Sequence, residues 1–237
     1  MYDFTARVRY SETDPSGRLG IAGLLNYFQD CATFQSNDCG LSIERLRSRG
    51  MGWVLMSWQV VISRMPGFCE QVRIITNPYY IGGFLGKRNF LLETLDGERL
   101  AIANSVWTMV DPATGRPTHV SDDLGQLYGL GEPFDMDYTA RKIRPEGEYT
   151  ECAPVPVARH MLDTNGHVNN TQYAALAADL LPEGFEYTQL RVEYKKSATA
   201  GRTMYPKLYS SGGRYTVVMA DDIGKTYAAA EFTPAVP

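Results

Sequence analysis

Apolar residues recur early in the chain at steps of three and four. Leu24, Leu25, Phe28, Cys31 and Ala32 fall on one stripe of a helix predicted from about Ile21 to Cys39. That spacing lays an apolar face against a sheet, and Gly40 ends the helix. A short strand is expected ahead of it, Phe4 to Tyr10, and a helical piece behind it, Ser42 to Arg49. Four runs rich in β-branched and aromatic residues follow: Trp53 to Arg64, Glu70 to Tyr80, Phe84 to Thr94 and Arg99 to Val110. Asp96-Gly97 joins the last two as a tight hairpin.

The same order is then written again. A strand-like run covers Tyr149 to Arg159, and an Ala-rich helix covers Asn170 to Leu181. Further strands follow at Tyr187 to Lys196, Thr203 to Ser210, Arg214 to Ala220 and Thr226 to Phe232, with Gly212-Gly213 as the matching hairpin turn. Single residues repeat as well. Asp14-x-Ser16-Gly17-Arg18 lies 149 positions before Asp163-x-Asn165-Gly166-His167, and Asp30 lies the same interval before Asp179. Small side chains at Ala174, Ala175, Ala177 and Ala178 let a helix lie close to a sheet that curls round it. The expected class is α+β, with two antiparallel sheets each wrapped around a long central helix. Residues 1–120 form the first half, 121–148 a linker with little periodicity, and 149–237 the second half.

Composition narrows the setting. A hydrophobic share of 44% with 15 Tyr, 9 Phe and 3 Trp supplies a packed core and argues against disorder. No run approaches the roughly 18 apolar residues of a membrane span. The N-terminal sequence also lacks a basic segment followed by an apolar run, so a soluble cytoplasmic protein without membrane insertion is expected. Cys31, Cys39, Cys69 and Cys152 have no CxxC spacing, which suggests reduced thiols and no metal site. A net charge of −4 argues against a nucleic-acid partner.

The densest polar cluster is Asp163-Thr164-Asn165-Gly166-His167-Val168-Asn169-Asn170, immediately before the second helix. In an extended or looped segment, residues two apart point the same way, so Asp163, Asn165 and His167 share a face. On a helix they would not. A carboxylate, an amide and an imidazole beside a helix N-terminus can support hydrolysis, with backbone N–H groups available to an oxyanion. The plain alternative is a turn in which Asp163 and Asn165 only bond the backbone and His167 is an ordinary loop residue. His119 and His160 have no comparable partners. The first-half loop has Ser16 and Arg18 where the second has Asn and His, so it is expected to be catalytically silent.

The run NGHVNNTQY, with Pro182 and LRVEYKK beyond it, resembles the acyl-ACP thioesterases of plants and bacteria. WVLMSWQVVISRMP, EQVRIIT and ANSVWTMVDPATGRP resemble that family's first half, so the likeness covers roughly residues 3–233. It implies a double hotdog fold, no cofactor, and hydrolysis of the thioester of fatty acyl-ACP that releases free fatty acid and terminates elongation. It implies that Asp163, Asn165 and His167 are the catalytic trio, with either His167 or Asp163 as the base. The family usually carries a glutamate, followed in plant members by a cysteine, after its Tyr-basic-basic run. Here Tyr194-Lys195-Lys196 leads into Ser197-Ala198, which removes a Cys-His mechanism and leaves Ser197 as an auxiliary water-holding group. Glu193 lies four residues earlier, roughly 13 Å along a strand, too far to replace it.

If the first half takes up the acyl chain, Trp53, Leu55, Met56, Trp58 and Val60 are candidate lining, or else simply core. Acyl carrier protein is acidic as a class, so docking calls for a local basic surface. Candidates are Arg45, Arg47 and Arg49; Lys87 and Arg88; Arg141, Lys142 and Arg144; and Lys195 and Lys196. Monomer and homodimer both fit. Two other readings remain open: an acyl-CoA thioesterase, and a non-catalytic acyl-binding hotdog protein.

Overall fold

The computed structural model describes residues 1–121 and 123–234. The chain divides into two compact units: Met1–Met56 with Ile62–Tyr138, and Ser57–Val61 with Thr139 onward. No helix among the described residues is long and apolar enough to cross a membrane.

In the first unit, β1 (Tyr2–Arg7), β3 (Gln71–Gly82), β4 (Leu85–Thr94) and β5 (Arg99–Val110) pair antiparallel in the order β1-β3-β4-β5. The helix α1 (Ile21–Asp38) carries the predicted stripe, and Leu24, Leu25, Phe28, Cys31 and Ala32 are all buried. It packs on the sheet through Phe28 and Phe90, whose ring centroids are 5.2 Å apart. Gly40 follows the helix at φ +76°, a left-handed conformation that glycine adopts without steric cost. A second helix, α2 (Ile43–Ser48), is capped by the Ser42 hydroxyl.

The second unit contains residues 57–61 of β2 (Gly52–Ile62), which pair with β8 (Tyr187–Tyr194). Beyond β8 lie β11 (Thr226–Pro234), β10 (Arg214–Ala220) and β9 (Thr203–Ser211), all antiparallel. β6 (Glu148–Glu151) and the two-residue β7 (Val155–Pro156) both pair with β9. The expected single strand over Tyr149 to Arg159 is therefore broken, because Pro154 and Pro156 have no N–H to give a ladder. A 3-10 turn at Arg159–Met161 finishes the segment.

The second helix is shorter than its sequence suggests. α4 spans Asn170–Ala178, nine residues against eighteen in α1. Leu181 precedes Pro182, and the proline ring disfavours helical backbone at the residue before it. Ala174 and Ala177 are fully buried, and α4 packs on β11, where Ala228, Ala229 and Ala230 are also buried. Small side chains on both elements suit the close approach that the composition foreshadows.

Residues 121–148 are less of a free linker than their aperiodic sequence suggests. They contain a helical turn, α3 (Asp123–Tyr128), whose Leu124 and Tyr128 join a cluster with Leu41, Leu46, Met51 and Met109. Beyond it the chain has no regular structure and is held by side-chain amides. Asn77, Asn89 and Asn104 stand side by side across β3, β4 and β5. Asn77 Nδ2 donates to the Glu132 carbonyl at 2.6 Å, and Asn89 Oδ1 accepts from the Phe134 N–H at 2.9 Å and the Tyr138 hydroxyl at 3.1 Å. In the second unit, Gln59 Oε1 accepts from Thr139 N–H and Glu193 Oε2 accepts from Ile143 N–H, both at 3.0 Å. Arg191 donates to the carbonyls of Ala140 and Lys142.

Asn89 is completely buried and also donates to the Ala103 carbonyl. Asn89→Ala is expected to lower unfolding free energy by about 1 to 3 kcal/mol, because it leaves buried backbone groups unpaired. It should also open residues 129–138 to protease. Denaturant titration and limited proteolysis check both; unchanged resistance to cleavage would mean that this amide does not hold the segment.

Candidate active site

Asp163 organises the polar loop ahead of α4. Its Oδ1 accepts the N–H groups of Asn165 at 2.8 Å and His167 at 3.1 Å, while Asn165 Nδ2 lies 3.3 Å from Oδ2. The backbone closes on itself through Asp163 N–H to the His167 carbonyl at 2.7 Å and Gly166 N–H to the Asp163 carbonyl at 3.0 Å. Gly166 turns the chain at φ +73°. The side chains of Asn165 and His167 are left exposed, while Val168 is buried beside them.

The first-half loop repeats these bonds of the backbone N–H groups. Asp14 Oδ1 accepts from Ser16 N–H at 2.8 Å and Arg18 N–H at 3.2 Å, Asp14 N–H donates to the Arg18 carbonyl, and Gly17 N–H donates to the Asp14 carbonyl. Gly17 has φ +76°. Gly20 N–H meets the Glu12 carbonyl as Asn169 N–H meets that of Met161. What differs is the pair of side chains presented. Arg18 donates to the Met65 carbonyl at 3.0 Å and Ser16 Oγ donates to Asp14 at 2.6 Å, so this loop offers no imidazole and a permanently charged guanidinium.

The helix start is already partly occupied. Asn169 caps α4 by accepting from Thr171 N–H at 3.1 Å and from the Thr171 hydroxyl at 3.2 Å. The expectation that helix N-terminal amides receive an oxyanion is therefore narrowed, because the Thr171 amide has a partner. Asn165 Nδ2 is the exposed amide donor on the loop.

The segment after β8 lies alongside. His167 pairs with Thr199, Val168 N–H donates to the Ala198 carbonyl at 2.9 Å, and the buried Tyr173 hydroxyl accepts the Ala198 N–H at 2.9 Å. Burial pushes the Tyr173 phenol up to about 12 and raises that of Tyr194, whose hydroxyl donates to the Asn170 carbonyl. Both remain neutral hydrogen-bonding groups that fix the backbone. Ser197 is exposed next to this segment and Ala198 is buried. Glu193 is instead committed elsewhere, buried between Arg141 at 3.6 Å and Lys195 at 3.5 Å.

The five candidate lining residues lie on β2, where alternation divides them between two faces: Trp53 and Leu55 on one, Met56, Trp58 and Val60 on the other. Trp53 packs against the cluster around Tyr128 and approaches Gly86 closely. Leu55, Trp58 and Val60 are buried. Among the basic residues, Arg45 and Arg47 are exposed on α2, and Arg49 pairs with Asp123 at 3.0 Å. Lys196 pairs with Asp221 at 2.8 Å. Arg88 is a correction: it is only 8% exposed, because its position on β4 points toward α1, and it cannot contribute to a docking surface. His119 stacks near Phe84 and His160 sits on the exposed 3-10 turn, each apart from the loop. Among the described residues no group of three or more His, Cys, Asp or Glu could hold a metal ion.

Comparison with known proteins decides the family. Residues 1–128 match the profile of the acyl-ACP thioesterase N-terminal domain, and residues 146–231 match that of the acyl-ACP thioesterase C-terminal domain. The chain belongs to the acyl-ACP thioesterase family. A chloroplastic palmitoyl-acyl carrier protein thioesterase of Gossypium hirsutum is 25% identical over 206 residues, covering 80% of this chain and 50% of that protein. The chain thus spans about half the length of the curated relatives it matches. Among solved structures, an acyl-ACP thioesterase from Bacteroides thetaiotaomicron superposes with a TM-score of 0.88 at 22% identity, covering 98% of this chain and 96% of that one. The 12:0-ACP thioesterase from Umbellularia californica gives 0.82 at 18%, covering 99% and 97%. These two likenesses establish the hotdog-type fold.

The loop therefore has a backbone lock and a pair of presented side chains, which two variants separate. Asp163→Ala and Asp14→Ala are each expected to cost about 1 kcal/mol of stability through the same lost amide bonds. The imidazole resonances of His167 should shift only in Asp163→Ala. The chain has just three histidines, so their NMR signals can be assigned one by one. Equal shifts in both variants would contradict a local lock.

Proposed function

We propose that this protein hydrolyses the thioester of fatty acyl-ACP, releasing free fatty acid and ending elongation, with Asp163, Asn165 and His167 as its working residues. The observation that carries the reading is the Asp163 lock, which spends a carboxylate on holding the loop while leaving an amide and an imidazole exposed. Its chemically blank copy at Asp14 supports a division in which the second half is catalytic and the first binds the chain. The fold is a double hotdog, the halves lying at 1–120 and 149–237 around α1 and α4, joined by residues 121–148.

His167 is the base. Asp163 Oδ1 is committed to two amides, whereas the imidazole is free to take a proton from water as the water oxygen attacks the thioester carbon. Asn165 Nδ2 donates to the carbonyl oxygen as it becomes an oxyanion. The C–S bond then breaks, and the thiolate of the phosphopantetheine arm takes the proton from the imidazolium. Asp163 orients the loop and Ser197 holds the water. Family membership supports the acyl-ACP substrate. The exposed Arg45 and Arg47 support docking of an acidic carrier protein.

Purified protein supplied with acyl-ACPs and acyl-CoAs of graded length tests this. Acyl-ACP is expected to be the better thioester at equal length, with turnover falling as salt rises. His167→Ala should lower kcat/KM by at least about a hundredfold and Asn165→Ala by a similar factor, while circular dichroism is unchanged. Undiminished hydrolysis by His167→Ala would overturn the catalytic assignment, and no hydrolysis by the native protein would leave an acyl-binding role in its place.

A further inference from the structure

Each half lays a short segment against its polar loop, and the backbone contacts correspond. Val168 N–H donates to the Ala198 carbonyl at 2.9 Å, as Leu19 N–H donates to that of Pro66 at 2.8 Å. His167 bridges to Thr199 as Arg18 bridges to Gly67, and Leu162 to Val168 as Thr13 to Leu19. Ser197, Ala198 and Thr199 thus stand where Met65, Pro66 and Gly67 stand in the first half.

The two segments are held by different groups. In the first half the loop's own side chain does it, for Arg18 Nη1 donates to the Met65 carbonyl at 3.0 Å. Pro66 has no N–H to satisfy, and Leu24, the fourth residue of α1, is apolar. In the second half the Ala198 N–H donates to the hydroxyl of Tyr173, the fourth residue of α4, at 2.9 Å. Tyr173 is buried, and its ring meets that of Tyr194 edge-on with centroids 6.0 Å apart. The Tyr194 hydroxyl donates to the Asn170 carbonyl at 2.9 Å, so helix, strand and segment are tied together. The tyrosine and the N–H that it accepts occur together in the half that carries the imidazole, and both are missing from the half that does not.

We infer that Tyr173 is a positioning residue for His167: it takes over the hold on the neighbouring segment that Arg18 exercises in the first half, and so releases the fourth side chain of the loop for chemistry. The inference rests on the proposed hydrolysis for the role of the imidazole, but not for the clasp itself. Ala198 is gripped at its N–H by Tyr173 and at its carbonyl by Val168, and the adjoining Thr199 meets the His167 backbone. Without the hydroxyl the Ala198 N–H is buried with no acceptor and the segment shifts, which misplaces the imidazole without altering its chemistry.

Tyr173→Phe and the double variant Tyr173→Phe/Ala198→Pro test it, the second removing the orphaned N–H as Pro66 does in the first half. Tyr173→Phe is expected to lower kcat on acyl-ACP about tenfold or more with KM within about twofold, and to shift the imidazole NMR signals of His167 while those of His119 and His160 stay in place. The double variant should recover unfolding free energy but not kcat. Unchanged kcat in a protein that hydrolyses acyl-ACP, or unmoved His167 signals, overturns the inference. So does recovery of kcat in the double variant, which would reduce the hydroxyl to an acceptor for one amide, or movement of all three histidines together, which would mean general loosening. Hydrogen exchange of the native protein needs no variant: the Ala198 amide should be as protected as that of Val168, and rapid exchange overturns the clasp whether or not the variants fold. If the native protein hydrolyses no acyl-ACP, a selective His167 shift in Tyr173→Phe keeps the clasp and removes only the proposed reaction.

Discussion

A carboxylate accepting two backbone N–H groups is the constraint on which the site depends. A loop that must point its side chains outward has few backbone partners of its own, and an aspartate at its start supplies the missing acceptor. Asp163 does this for Asn165 and His167, and Asp14 does it for Ser16 and Arg18. The bond set is the same in both copies, so it belongs to the scaffold. The copies differ at the second and fourth positions after the aspartate, where one has amide and imidazole and the other has hydroxyl and guanidinium.

A related problem arises wherever the chain runs without regular structure. Residues 129–143 have no ladder or helix to absorb their amides, and polar side chains from neighbouring strands absorb them instead: Asn77 and Asn89 in the first unit, Gln59, Arg191 and Glu193 in the second. These amides and charges sit within otherwise apolar strands, an arrangement that strand propensity disfavours. Their burial is tolerated because each has a backbone partner, and an amide side chain without such a partner would be costly at the same depth.

Much of this was legible in the sequence because it follows from period and punctuation. The α1 stripe, the strand runs and the Asp96-Gly97 and Gly212-Gly213 turns rest on local rules that the tertiary structure left intact. The short α4 was legible in retrospect from Pro182. The broken strand near Tyr149 was marked by Pro154 and Pro156. The hold on residues 121–148 was harder, because an asparagine in a strand does not say which distant carbonyl it will meet; three of them in register across β3, β4 and β5 become a signal only once the register is known. Arg88 was misplaced for the same reason. Next to Lys87 it looks like part of a basic surface, yet on a strand adjacent residues point to opposite faces, and the apolar Phe90 and Leu92 two and four positions on mark Arg88 as inward.

The segment after β8 bears on the chemistry through its backbone. Ala198 is clasped between the Val168 amide and the Tyr173 hydroxyl, and Thr199 pairs with His167, so this stretch fixes where the histidine stands. The stretch presents an exposed hydroxyl at Ser197 and a buried methyl at Ala198. The carboxylate of Asp163 is engaged by the loop it builds. The imidazole of His167 stands exposed beside it. The neutral tyrosines behind it contribute by holding the backbone still rather than by supplying charge.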